Sequence, residues 1–378
     1  MTQMFRTDGG IIDRTRILNF SFNSRRFEGH PGDTLASALL ANGQRMIARS
    51  FKYHRPRGIY TAGSEEPNAL VHLRRGAHME PNTRATVTEL YDGLQSTSQH
   101  HLGSLKFDFL AINDLLSPFL TAGFYYKTFM WPRAFWEKLY EPMIRASAGL
   151  GRLSGEPDPD TYDKGFLHCD ILVIGAGPAG LSAALAAGRA GARVTLADED
   201  FQMGGRLNSE SYEIADEAGA AYAGKMLEEI ASMDNVRLMT RTTVYGAYDH
   251  GIYGALERIT DHLQPTDGIP RQILWKIYSK QTILCAGATE RPIAFGNNDR
   301  PGIMLAGAVR TYVNRWGVMP GKRVAVFTNN DDGWRTAVDL ATKGVEITAV
   351  IDSRTGTPPA ELPGTAIVMG GRVVDTKG

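Results

Sequence analysis

The sequence predicts an α/β fold with two Rossmann-like units, and three observations carry that prediction. Gly175-Ala-Gly-Pro-Ala-Gly180 joins an apolar run, Asp170–Ile174, to an alanine-rich run, Leu181–Ala190. Asp198 stands 18 residues beyond Gly180, at the end of a second apolar run, Arg193–Ala197. A further strand–helix–strand pattern begins at Lys322.

Residues 1 to 95 mix short strand patterns with one helical run, Thr34–Asn42. Asp33 or Thr34 is placed to cap that helix and Gly43 to end it. Residues 96 to 164 hold Phe107, Phe109, Phe119, Phe124, Tyr125, Tyr126, Phe129, Trp131, Phe135, Trp136 and Tyr140. The pairs Phe135/Leu139 and Trp136/Tyr140 fit one helical face. Such a stretch is either a partner-binding surface or a connector packed on its own unit, and the second is expected. Ser154–Lys164, with Glu156-Pro-Asp-Pro-Asp160, reads as an exposed linker.

Residues 165 to 300 read as a dinucleotide-binding domain. A strand over Asp170–Ile174 suits a buried parallel position. The alanine-rich helix follows, then the strand Arg193–Ala197, a helix over Ile214–Met233 and a strand over Val236–Met239. Later strands are expected around Val244, Tyr253, Ile273 and Ile283. Residues 301 to 378 form the second, incomplete unit: strand Arg323–Phe327, helix Gly333–Thr342, strand Glu346–Val350.

Composition narrows the function. Lys plus Arg equals Asp plus Glu, 41 each, so no net field exists to draw nucleic acid or an anionic membrane. Arg6, Asp8, Asp13, Arg14 and Arg16 interrupt any N-terminal apolar run, so no signal peptide is expected. Leu115–Tyr126 is uncharged but far shorter than the ~20 residues a spanning helix needs. The two cysteines, Cys169 and Cys285, cannot supply the four thiolates of an iron–sulfur cluster and suit a reducing cytoplasm as small buried hydrophobes. His100-His101 shows no ligand spacing, and no metal site is expected.

The glycine loop carries the chemistry. Gly175 permits the tight turn, Gly177 lets a pyrophosphate approach the backbone, and Gly180 lets helix and strand pack closely. Pro178 and Ala179 open the helix, whose N-terminus offers unpaired N–H groups to phosphate. Asp198 can accept hydrogen bonds from an adenosine ribose, with Glu199 as the fallback. An acid there disfavours a 2′-phosphate, which leaves NAD or FAD. Gly204-Gly205-Arg206 is a glycine pair expected to bring a loop to the nucleotide, and Val244 is expected to line the same site. Ile283–Pro292, a strand leading into a turn, resembles a strand of the disulfide-reductase-like flavoproteins, so the two Rossmann-like units are expected to be of that kind; the resemblance implies that Gly287 passes close to the nucleotide. In the second unit Asn329-Asn-Asp-Asp-Gly333 stands where a phosphate loop would be, with one glycine and two aspartates. A degenerate unit without nucleotide is expected. No nucleophilic triad or catalytic base can be identified.

Two runs resemble a known family. Glu28-Gly-His-Pro-Gly-Asp-Thr-Leu-Ala-Ser-Ala-Leu-Leu-Ala-Asn-Gly43 and Arg49-Ser-Phe-Lys-Tyr-His-Arg-Pro-Arg-Gly58 resemble the N-terminal segment of the α subunit of heterotetrameric sarcosine oxidase. Ile283–Ala308 and Val324–Asp332 are similar to the same subunit. The resemblance implies a small ferredoxin-like β-grasp domain at the N-terminus. Cluster-bearing relatives place cysteines just after the Arg-Pro-Arg-Gly run. Here Ile59–Ala69 has none, so a β-grasp domain without a cluster is expected.

The resemblance further implies a complex with β, γ and δ subunits that oxidises sarcosine with O2 to glycine, hydrogen peroxide and a one-carbon unit for tetrahydrofolate. It implies NAD in the domain opened by the glycine loop and FMN at the α–β boundary. A C-terminal aminomethyltransferase-like folate domain belongs to the family and is absent from this sequence, so a fragment or a short subunit is expected. The alternatives are an FAD-binding α subunit of another amine, proline or opine oxidoreductase, and a structural nucleotide-binding subunit without catalysis.

Overall fold

The computed structural model describes residues 3–120, 123, 129–147, 151–266 and 268–377. Phe124, Tyr125 and Tyr126 of the aromatic stretch lie outside the described residues. The first unit is a five-stranded sheet. Strands β1 (Leu18–Phe22) and β2 (Arg25–Gly29) form a hairpin. Its turn residues, Asn23 and Ser24, both take left-handed backbone, φ 50° and 63°, as a two-residue hairpin of primed type requires. Met46–Arg49 (β3) and Pro56–Gly58 (β4) make a separate hairpin. Leu70–Leu73 (β5), Glu80–Arg84 (β6) and Gln95–Ser98 (β7) complete the sheet in the order β2-β1-β7-β5-β6, with β1 and β7 parallel. This is a β-grasp arrangement, as expected, and its last strand begins where the first region was expected to end.

Helix α1 (Leu35–Ala41) fills the concave side, with every residue buried. Thr34, one of the two expected caps, accepts the Ser37 amide, while the Ser37 hydroxyl answers at the Thr34 amide. Asp33 instead receives the guanidinium of Arg6 at 2.7 Å and the Ser37 hydroxyl at 2.6 Å. It is fully buried, and these donors satisfy a carboxylate that would otherwise be costly to bury.

The aromatic stretch departs from expectation. Residues 133–147 run as one helical stretch: a 3-10 turn, Arg133–Phe135, a π turn, Trp136–Tyr140, then helix α2 (Glu141–Ser147). The π turn adds a residue to the repeat, so the ring that meets Phe135 is Tyr140, at 6.2 Å, five residues on rather than four. Nor does the stretch pack fully on its own unit: Phe119 and Trp131 are 78% and 81% exposed.

The second unit is a six-stranded sheet of order β12-β9-β8-β15-β14-β13. Its strands are β8 (Tyr162–Ile174), β9 (Val194–Ala197), β12 (Val236–Met239), β13 (Thr242–Tyr248), β14 (Ile252–Arg258) and β15 (Gln272–Leu284), with a two-strand clip, β10 (Glu213–Ile214) and β11 (Glu217–Ala218), between β9 and β12. The four strands β12, β9, β8 and β15 are parallel, and β14 and β13 fold back antiparallel. Helices α3 (Pro178–Arg189) and α4 (Gly219–Ala231) pack on it through Leu181, Ala184, Ala223 and Ile230.

Strand β8 starts at Tyr162, inside the expected linker. Its first half pairs with β15 while staying solvent-exposed, so Asp163, Lys164 and Gly165 read as loop from sequence alone. The expected strands around Ile273 and Ile283 are one strand for the same reason. Helix α4 starts five residues later than expected, because Ala215 and Asp216 turn left-handed, φ 52° and 63°, between β10 and β11.

The third unit is parallel: β16 (Arg323–Thr328), α6 (Asp331–Thr342), β17 (Glu346–Asp352) and β18 (Ala366–Met369), with helix α5 (Ala306–Trp316) before it. Helix α5 serves two cores. Ala308, Tyr312 and Trp316 join the β-grasp core, and Val309 and Val313 join that of the third unit. The Arg-Pro-Arg run ties the first unit to the loop before α5: Arg55 and Arg57 both reach Asp299, at 2.8 and 2.7 Å. Among the described residues no helix is long and apolar enough to cross a membrane.

Candidate dinucleotide site

The glycine loop leaves β8 and enters α3, and its three glycines differ in what requires them. Gly175 takes φ 97°, and a Cβ there would lie 2.4 Å from the Cys285 carbonyl oxygen. A Cβ on Gly180 would fall 1.8 Å from the Gly175 carbonyl oxygen, so helix and strand could not approach as they do. Gly177 has ordinary backbone, φ −72°, and a Cβ there would meet nothing within 4 Å. The protein's own packing therefore gives no reason for glycine at 177, whereas a ligand lying on the loop would.

The end of α3 is open to an anion. Gly177 is the N-cap and has no side chain to fill the helix end; Pro178 occupies the first turn, and Pro178 and Ala179 are exposed. The partial positive charge of the helix end is left for a ligand. Helix α6 is the opposite case. The Asn330 side chain accepts from the amides of Asp332 and Gly333 at 3.0 and 3.3 Å, and Asp331 and Asp332 stand in its first turn. Arg310 takes Asp332 at 2.8 Å. The third unit thus fills its helix end with its own groups. Its Gly333 is a packing glycine, since a Cβ would lie 2.3 Å from the Thr328 hydroxyl.

The other predicted residues converge on the loop to different degrees. The Gly204 amide donates to the Ala176 carbonyl at 2.9 Å, and a Cβ on Gly205 would lie 2.8 Å from Gly177 Cα, so the glycine pair does touch the loop. Arg206 turns away, to Glu210 at 2.6 Å and Asp332 at 3.3 Å. Val244 sits two residues after Thr242, whose amide donates to the Asp198 carbonyl at 2.7 Å; its own side chain packs partly buried with Leu172 and Ile277. Gly287, φ 70°, follows β15 and has open space around it. Cys169 is buried, and Cys285 is half-buried beside Gly180.

Asp198 and Glu199 divide their tasks. One Asp198 oxygen accepts from the Ala176 amide at 2.5 Å and the other from the Asp200 amide at 2.8 Å, so this carboxylate braces the glycine loop. Burial pushes its carboxyl up, the two amides act against that, and the nearby Asp200 and Glu199 charges add to it. Glu199 is exposed, and the Ser64 hydroxyl donates to its Oε1 at 2.7 Å. Arg258 donates to the Glu199 carbonyl at 2.5 Å. Ser64 and Arg258 were not legible as site residues, since nothing in the sequence says which loop of another unit meets the end of β9.

The sarcosine oxidase subunit alpha of Rhizobium meliloti (strain 1021) is 56% identical over 346 residues, covering 91% of this chain and 35% of the relative. The chain is a relative of sarcosine oxidase alpha subunits. That of Corynebacterium sp. (strain P-1) is 38% identical, covering 97% of this chain and 34% of its own length. The chain thus spans about a third of the curated relatives it matches. The crystal structure of L-proline dehydrogenase from P. horikoshii shares the fold: TM-score 0.60, 19% identity, 93% of this chain and 55% of that one.

Two family models match. One, described as FAD dependent oxidoreductase, covers residues 170–258. It names FAD, the alternative in the sequence reading, and not NAD. The other, described as 2Fe-2S iron-sulfur cluster binding domain, covers residues 15–101. A cluster does not fit there. Both cysteines, Cys169 and Cys285, lie outside the match, so that span has no thiolate to offer iron.

Proposed function

We propose that this chain is the adenine-dinucleotide-binding part of an oxidoreductase α subunit of the sarcosine oxidase type. The observation that carries the reading is Gly177, a glycine that nothing in the protein requires, set at an uncapped helix end beside two carboxylates. The dinucleotide is FAD on the strength of the family match over 170–258. NAD, which the sequence resemblance implies, is the second reading. In either case Gly175, Gly177, Pro178, Ala179 and Gly180 would cradle the pyrophosphate, Asp198 or Glu199 would face the ribose, and Gly204, Gly205, Val244 and Gly287 would close the sides. A bound dinucleotide of either kind supplies a two-electron acceptor. The chain's own residues bind it and orient it, and none is assigned a proton transfer.

The wider activity is proposed from the same likeness. In a complex with β, γ and δ subunits, sarcosine would be oxidatively demethylated with O2 to glycine and hydrogen peroxide, its one-carbon unit passing to tetrahydrofolate, with FMN at the boundary between α and β. Localisation is proposed as cytoplasmic. The first test is to extract the nucleotide from purified protein and record its spectrum: flavin absorption supports FAD, and an adenine band alone supports NAD. An extract without either would refute the dinucleotide reading. The second is turnover. The chain alone is expected to leave sarcosine unchanged, because the resemblance places amine oxidation on the β subunit, and turnover by the chain alone would contradict the assignment.

A further inference from the structure

The loop after Gly58 is where a cluster is missing, and something else occupies its centre. Plant-type clusters are held by a C-x4-C-x2-C run. At that spacing after Gly58 stand Thr61, Glu66 and Ala69, which are 2%, 1% and 0% exposed. The Glu66 carboxylate binds both of the others. Its Oε2 accepts from the amides of Tyr60 and Thr61 at 2.9 and 2.6 Å and from the Thr61 hydroxyl at 3.1 Å. Its Oε1 accepts from the amides of Asn68 and Ala69 at 2.8 and 3.0 Å. Four backbone amides and a hydroxyl thus converge on one buried anion, as the amides of a cluster loop converge on sulfur. Glutamate is almost never buried unless it is paired, and here the pairing is with the loop itself.

The tip of this loop reaches the candidate nucleotide site. The Gly63 carbonyl is held by the Thr86 hydroxyl at 2.7 Å, and the next residue, Ser64, donates to Glu199. Asp198 and Glu199 lie just beyond the end of β9. Asp198 faces the glycine loop, so Glu199 is the acid left free to be set by a neighbour.

We propose that Glu66 stands in the place of the cluster as the anion around which the loop is wound, and that the loop so held is a wall of the nucleotide site in which Ser64 positions Glu199. The second half rests on the dinucleotide reading above. It makes the β-grasp unit part of the binding site rather than a neighbour of it.

The probe is ADP-ribose, whose ADP portion is shared by NAD and FAD, titrated calorimetrically into protein freed of copurifying nucleotide. Ser64→Ala should raise its Kd by about three- to tenfold, the worth of one hydrogen bond, and Ser64→Thr should keep the parent value. Combining Ser64→Ala with Glu199→Gln should cost no more than Glu199→Gln alone, a coupling that a purely structural role would not produce. Glu66→Gln turns an NH2 donor against backbone donors; it should melt several degrees lower and bind ADP-ribose more weakly. Gly177→Val separates the two readings. If it loses ADP-ribose while Ser64→Ala binds as the parent does, the Ser64 assignment is overturned and the dinucleotide site stands. If Gly177→Val binds as the parent does, the dinucleotide site falls and Ser64 with it. A parent-like melting temperature for Glu66→Gln overturns the anion assignment whatever the nucleotide data show.

Discussion

Replacing Gly177 by valine should abolish nucleotide binding and leave the apo fold standing, whereas Gly180→Ala should damage the fold itself. At 177 the backbone is at φ −72° and ψ −175°, which any residue adopts, and a Cβ meets no atom within 4 Å. Losing glycine from the unfolded chain stabilises by about 0.4–1 kcal/mol. Valine is a poor N-cap, and that opposes the gain by about 1 kcal/mol. The net change in apo stability is therefore within ~1 kcal/mol of zero. At 180 a Cβ would lie 1.8 Å from the Gly175 carbonyl oxygen, and backbone must move. Overpacking of that kind costs roughly 1–3 kcal/mol.

Bound nucleotide separates the two variants. At a hundredfold excess over Kd it stabilises the parent by about 2.7 kcal/mol, which is roughly 5–10 °C at about 2–4 °C per kcal/mol for a unit of this size. Thermal melts of parent and variants, each with and without added nucleotide, read this directly. The parent should gain that shift. Gly177→Val should melt near the apo parent and gain nothing, and Gly180→Ala should melt below both even without nucleotide. A nucleotide shift retained in Gly177→Val would refute the reasoning and move attention to the third unit near Asn329.

Three further outcomes are expected. Purified protein should contain no iron or acid-labile sulfide by elemental and colorimetric assay, since residues 15–101 hold no cysteine; stoichiometric iron would contradict this. Asp198→Ala should weaken dinucleotide binding by roughly 1–3 kcal/mol and also lower the apo melting temperature, because the Ala176 and Asp200 amides lose their acceptor; unchanged calorimetric affinity would leave the ribose to Glu199. Stability should fall on mild acidification. His100 is buried, and burial lowers it from 6.5 to about 4. The unfolded chain takes up the proton first, so stability is lost as pH falls from 6.5 toward about 4, by up to about 3 kcal/mol at 1.36 kcal/mol per unit. His72, His101 and His262 are lowered by burial in the same direction and add to the slope. Urea midpoints across this range should flatten in His100→Asn, a residue that tolerates the φ of 64° found there; an unchanged slope would exclude His100 as a contributor.

The sequence by itself determined the local parts of this protein. Short apolar runs placed β9, β12, β16 and β17 within a residue or two; β9, wholly buried in the parallel sheet, shows why such a run is mostly apolar. The motif Gly175–Gly180 announced a strand–turn–helix, because the left-handed turn at Gly175 and the approach of Gly180 to the Gly175 carbonyl are both met inside one short segment. The missing cysteines excluded a cluster in the β-grasp unit without any coordinates. The tertiary structure decided what depends on distant segments meeting. It extended β8 through Tyr162–His168, whose polar residues look like linker until β15 pairs with them. It showed that Phe119 and Trp131 stay exposed, which spacing along the chain cannot reveal. It turned Asp198 inward to its own loop and set Glu199 against Ser64, a residue 135 positions away in another unit. The two acids follow directly on the apolar run of β9, so the sequence could name them both. Only the packing of three units around helix α5 and the loop after Gly58 could say which way each one faces and what it meets there.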